Sequence, residues 1–244
     1  MTGAGRFADD IQPEGLLHAA FIRSPMAHAR IRRIDASSAR AMPGVAGVFF
    51  AEDLKLKPQE FPSLDMFARP PLASEVVRFV GDAIGVVVAE SRAQAADAVQ
   101  EVVVDLEGLP VAADAFSALE PGAPILHESH GTNLASNIEL GEEGALDGAE
   151  VVVRARFVNQ RVAAVPMEGN VVLAEPDGDG GLRMRVSTQV PFRVRSEVSE
   201  LTGIPESHLR VIVQDAGGGF GAKLATYPEQ SVVAAVAMRL KRPV

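Results

Sequence analysis

The chain has 244 residues, of which 47% are hydrophobic and 23% charged, with a formal net charge of −9. These proportions describe a folded globular protein of one large or two ordinary domains, and the acidic balance excludes a nucleic-acid binder and an anionic membrane surface as partner. The absence of cysteine excludes disulfides, and any iron–sulfur cluster would have to sit on another chain.

The N-terminal residues Met1 to Asp10 contain no apolar leader, so a cytoplasmic protein is expected. No apolar run approaches the roughly 20 residues that cross a bilayer, the longest being Ala83 to Ala89. Leu16 to Ile22 reads as a buried strand, and Ser37 to Met42 as a helical turn stopped by Pro43-Gly44. Val45 to Phe50 is a further strand, followed over residues 55–75 by a proline-rich irregular loop. Ile84 to Ala89 is again a strand. Ser91-Arg92-Ala93-Gln94 has the form of a capping box, opening a helix that runs to about Glu101 and leads into the strand Val102 to Leu106.

Glycines and prolines then punctuate a connector. We expect domains over residues 1–112 and 131–244, joined by residues 113–130. In the second domain Val151 to Phe157 and Val171 to Ala174 read as strands. Pro176 to Gly181 reads as a hairpin turn into Leu182 to Val186, where apolar and cationic residues alternate. Pro191 opens a helix with Val194, Val198 and Leu201 on one face, closed by Gly203. Leu209 to Val213 is a strand, and a last helix runs from about Glu229 to Leu240. His127 and His130 read as ordinary loop histidines, and the acidic stretch 139–150 as a solvated edge.

Between that strand and that helix lies Gly217-Gly218-Gly219-Phe220-Gly221-Ala222-Lys223. Glycines let backbone N–H groups approach an anion or oxo ligand without a Cβ in the way; a tight turn with no ligand is the alternative. A Walker loop fails, because Ala222 separates Gly221 from Lys223 and Leu224 follows. Gly217-x-Gly219-x-x-Ala222 fits the loose dinucleotide fingerprint, but Pro228 and the missing downstream acid weaken that reading.

The same run resembles the Gly-Gly-Gly-Phe-Gly-x-Lys signature of the molybdopterin-binding large subunits of the xanthine dehydrogenase, aldehyde oxidase and carbon monoxide dehydrogenase superfamily. Gly5 to Ile11, Arg23 to Ala29, Phe79 to Glu90 and Leu109-Pro110 resemble its α/β hammerhead domain, and Ser187-Thr188-Gln189 its metal-facing glutamine segment. The resemblance covers nearly the whole chain. It implies an α+β protein: a hammerhead domain followed by a partial molybdopterin-binding domain with mixed sheets.

The resemblance further implies a molybdenum–molybdopterin cofactor, in the cytosine dinucleotide form, held by Gln189, Gly219, Phe220 and Gly221. It implies oxidation of a small-molecule substrate, an aldehyde, carbon monoxide or an N-heterocycle, with oxygen from water. Electrons would pass to an iron–sulfur small subunit and an FAD-binding medium subunit. The purine-oxidising branch has an acid directly after the loop lysine, where this chain has Leu224. The family's glutamate base lies in a C-terminal remainder of the large subunit beyond Val244, so no catalytic residue and no protein ligand to the metal is assigned here. Glu168, in a Met-Glu pair common in the family, is expected to be structural. A non-catalytic assembly module is the competing expectation.

Overall fold

Every residue of the segment Ala83–Ala89 is apolar and buried, so it must be covered on both faces. The computed structural model, which describes residues 3–60, 67–138 and 140–244, makes it the middle strand of a sheet. In chain order the first half holds β1 (His18–Arg23), β2 (Ala29–Asp35), α1 (Ser37–Ala41), β3 (Val45–Phe50), α2 (Ala51–Leu54) and β4 (Val76–Val77). Then come β5 (Ala83–Ala89), α3 (Arg92–Gln100) and β6 (Val103–Gly108).

Antiparallel β1 and β3 flank β5, with His18 and Val45 both opposite Ala89. A second antiparallel sheet runs β4-β2-β6. Helix α3 starts at the expected Ser91 N-cap, the Ser91 hydroxyl accepting the Gln94 N–H at 3.3 Å, while the Gln94 side chain accepts from the Ser91 hydroxyl instead of from the Ser91 backbone N–H, and the helix buries Ala95 and Ala98.

The second half holds β7 (Val172–Pro176), β8 (Leu182–Val186), α4 (Pro191–Thr202), β9 (Leu209–Ile212) and α5 (Pro228–Leu240). Asp177 closes the β7–β8 turn, its Oδ1 accepting N–H groups from Asp179 at 3.1 Å and Gly181 at 2.9 Å. Along β8 the expected alternation holds: Leu182, Met184 and Val186 are buried, while Arg183 is exposed and Arg185 half-buried. Strand β9 lies parallel to β8, and α4 makes the crossover. Val194, Val198 and Leu201 form the buried stripe of α4, and Gly203 ends it at φ 77°.

One hydrophobic cluster joins the halves. Leu17, Val86 and Val88 share it with Met184, Val194, Val232 and Val236. The sheet around β5 therefore backs onto the same core that supports β8 and α5.

Two differences from the sequence reading have physical causes. Val151–Phe157 is not a strand: its residues are exposed, Val153 to 84% and Phe157 to 90%, and no described strand pairs with it. High β-propensity alone does not satisfy backbone N–H and C=O groups; a neighbouring strand must. The proline-rich stretch contains structure the prolines obscured, an isolated Gln59–Arg69 bridge and, just beyond, β4. Residues 61–66 of that stretch, and Glu139 of the acidic run, lie outside the described residues; residues 140–150 are exposed, as expected of a solvated segment.

Met184 is fully buried at the centre of the joined core. Met184→Ala is expected to lower unfolding free energy by about 2–5 kcal/mol, read from the midpoint shift in urea at unchanged slope.

Candidate cofactor site

The glycine run leaves β9 through residues 213–216 and reaches α5 only at Pro228. It is therefore a free-standing loop and not the entry to a helix, which removes the geometry that a dinucleotide fingerprint requires. Its shape depends on close approaches. A Cβ on Gly217 would stand 2.5 Å from the Glu168 Cβ, and one on Gly219 would stand 2.5 Å from the Gln189 Oε1.

Phe220 adopts φ 49°, a left-handed conformation that costs a non-glycine residue about 1–3 kcal/mol. The residue is 78% exposed. The loop thus holds a strained residue whose aromatic side chain faces outward instead of filling the core.

Gln189 follows β8 and sits beside the loop. Its Oε1 accepts the Gly221 N–H at 3.0 Å and the Lys223 N–H at 3.3 Å. Because both loop partners are donors, the amide orientation is fixed: oxygen inward, nitrogen outward. Gln189 is exposed, and its Nε2 donates to none of the described residues, so two N–H bonds remain available to a ligand. The backbone repeats the tie, with Gln189 N–H donating to the Lys223 carbonyl at 3.0 Å and the Thr188 hydroxyl to the same carbonyl at 3.2 Å.

Behind the loop lies an ion pair. The Lys223 side chain is 2% exposed and its Nζ stands 3.1 Å from the Glu168 Oε2, with the Glu168 side chain 11% exposed. Lys223 Nζ also donates to the Ser187 Oγ at 2.6 Å, Ser187 donates to the Glu168 Oε2, and the Gly217 N–H reaches that same oxygen at 2.8 Å. Burial pushes the Glu168 carboxyl up. The bonds from Ser187, the Gly217 N–H and Lys223 outweigh that effect together and hold it below its ordinary value. Removing one partner of such a buried pair costs about 3–5 kcal/mol, because the other charge is left uncompensated.

Lys223 is consequently committed inside the protein and presents no cation to a phosphate. What faces outward is a neutral amide donor beside a strained, exposed aromatic residue. That donor set suits an oxo or hydroxo ligand, and the missing Cβ of Gly219 keeps the Gln189 amide in place. The residues present fit a metal–oxo group.

Comparison with known proteins identifies the family. Residues 2–110 match the aldehyde oxidase and xanthine dehydrogenase a/b hammerhead domain, and residues 126–244 match the molybdopterin cofactor-binding domain. The carbon monoxide dehydrogenase large chain of Hydrogenophaga pseudoflava is 39% identical across 100% of this chain and 33% of its own length. The nicotine 6-hydroxylase large subunit of Paenarthrobacter nicotinovorans is 38% identical, with 100% of this chain and 31% of its own length covered. The crystal structure of quinoline 2-oxidoreductase from Pseudomonas putida 86 superposes with a TM-score of 0.91 at 38% identity, over 100% of this chain and 32% of that one. The chain spans about a third of the length of these relatives. It belongs to the molybdopterin-binding large-subunit family of the molybdenum hydroxylases, with a hammerhead domain followed by part of the molybdopterin-binding domain.

All four residues expected at the cofactor, Gln189, Gly219, Phe220 and Gly221, converge on one loop face. The clasp formed by Glu168, Ser187 and Lys223 did not emerge from the sequence; only the Met167-Glu168 pair and the loop lysine pointed toward it. His127 and His130 stack at 5.6 Å between ring centroids, each also against Phe67, well away from the loop in the chain.

Tyr227, the only tyrosine in a chain without tryptophan, donates its hydroxyl to the Ala222 carbonyl of the loop. Its emission therefore reports the loop. A carboxyl depressed on folding contributes stability above its ordinary range, and that contribution is lost as pH falls through the depressed value. Tyr227 emission should stay flat from neutrality to about pH 4 and change below it, and Glu168→Gln should abolish that acid step.

Proposed function

We propose that this chain forms one wall of a molybdenum–molybdopterin site in the large subunit of a molybdenum hydroxylase. The observation that carries this reading is the Gln189 amide. Gly221 and Lys223 lock its oxygen, so its nitrogen is aimed outward beside Phe220. When bound, the cofactor would supply transfer of oxygen from water to a substrate carbon, with two electrons leaving through other redox centres.

This chain's own contribution is to bind and orient. Gln189 Nε2 would donate to an oxygen ligand of the metal. The Phe220 and Gly221 backbone would approach from the side that Gly219 leaves clear, and the exposed Phe220 ring would shape the substrate space. Donors fixed in advance stabilise developing charge without reorganising during the reaction. Beside them Leu224 is 50% exposed, an apolar residue that offers no carboxylate to a purine. That favours an aldehyde, carbon monoxide or a less polar N-heterocycle, and the relatives acting on carbon monoxide and nicotine support the same range.

The remainder of the large subunit would supply the catalytic base and the opposite wall. An iron–sulfur small subunit and an FAD-binding medium subunit would take the electrons, and the cofactor would be the cytosine dinucleotide form. No described helix is long and apolar enough to cross a membrane, and we place the complex in the cytoplasm. Domains over residues 1–112 and 131–244, joined by residues 113–130, are the division we propose for this portion.

Metal and nucleotide analysis of the purified complex tests the reading: molybdenum is expected, with a cytosine nucleotide released on acid hydrolysis. Gly219→Ala should push the Gln189 side chain aside without moving the backbone. It should lower molybdenum content by about tenfold or more at an almost unchanged melting temperature. A complex with all its subunits and no molybdenum would overturn the proposal.

A further inference from the structure

Glu168 holds both ends of the glycine loop. At the first residue, the Gly217 N–H donates to the Glu168 Oε2 at 2.8 Å, and the Gly217 carbonyl accepts the Glu168 N–H at 3.2 Å. At the last, Lys223 Nζ reaches that same Oε2 at 3.1 Å, and Ser187 Oγ donates to it as well. Three donors converging on one oxygen leave it no freedom. Lys223 in turn is the residue whose backbone N–H and carbonyl hold the Gln189 side-chain oxygen and backbone N–H. A rigid path therefore runs from the Glu168 carboxylate through Lys223 to the Gln189 amide.

We infer that Glu168 is a positioning residue for the reaction, which sets the outward stance of Gln189 and Phe220 by clamping Gly217 and Lys223 from behind. This rests on the molybdenum reading above. Lys223 is 2% exposed, so its ammonium must find a countercharge inside the protein. Glu168 is the only carboxylate within ion-pair distance of it among the described residues. The clamp uses only Oε2; the Glu168 Oε1 is also buried and has no partner among the described residues. One oxygen takes every side-chain bond, and all of those bonds lead to the loop or to the segment after β8 that carries Gln189.

The test compares wild type, Glu168→Gln and the paired variant Glu168→Gln/Lys223→Met in the assembled, purified complex. Three readouts are taken: molybdenum retained during extended gel filtration, the electron paramagnetic resonance spectrum of the half-reduced metal, and the melting temperature. The single variant keeps the side-chain shape but leaves Lys223 uncompensated. The paired variant removes both charges and so keeps the protein folded if the single one fails.

The expected result is cofactor loss about 10–100-fold faster than wild type and an altered spectrum, in the paired variant as well as the single one. A role limited to stability predicts otherwise: the paired variant would recover its melting temperature, retention rate and spectrum together, and the inference would fall. Unchanged retention and spectrum in a folded single variant would overturn it equally. Wild type lacking molybdenum would instead sink the functional reading on which it rests.

Discussion

A lysine ammonium buried to 2% exposure is the constraint on which the site depends. An uncompensated charge there would cost several kcal/mol, so Lys223 brings a carboxylate with it. Glu168 is 55 residues away in sequence and lies on the exposed approach to β7. Drawing it in pins the start of the β7-β8-β9 sheet to the loop that leaves that sheet. Ser187, at the end of β8, completes the junction. Three segments from different parts of the chain thereby meet at a seven-residue run of which four residues are glycine.

The fold supplies the stiffness that this junction needs. Strand β8 is gripped between β7 and β9, and α4 and α5 cover it with Val194, Val198, Val232 and Val236. Residues 187–189 leave that strand as a short, fully supported extension, with Ser187 and Thr188 buried. Gln189 is the first residue to emerge. Its direction is set by a core that the hammerhead half shares through Leu17, Val86 and Val88, so the first half serves as a buttress for the site as well as a neighbour.

Much of this was legible in the sequence, because local patterns have local causes. The N-cap at Ser91, the alternation along β8 and the Val194–Val198–Leu201 stripe each declare themselves within a few residues. The glycine loop and Gln189 were legible only through family resemblance, since glycines alone fit a phosphate cradle or a plain turn equally well. Two features were beyond reach. The Glu168–Lys223 pair spans too great a separation for any spacing rule, and Val151–Phe157 carries a strand composition whose fulfilment depends on an edge that no described strand offers it.

The outer face of the loop shows what such a wall can and cannot do by itself. Gln189 and Phe220 are exposed, and in water a neutral amide donor exchanges one hydrogen bond for another, with a net worth near 1 kcal/mol. The same donor aimed at an oxyanion in a closed, low-dielectric pocket is worth about 3–4 kcal/mol. The difference comes from what covers the site and not from the donor. The clasp behind the loop fixes geometry, and that geometry gains catalytic value only when an opposing surface excludes water from it. Under the proposed function a division of labour follows: this portion of the large subunit would contribute position, and the remainder enclosure and the base.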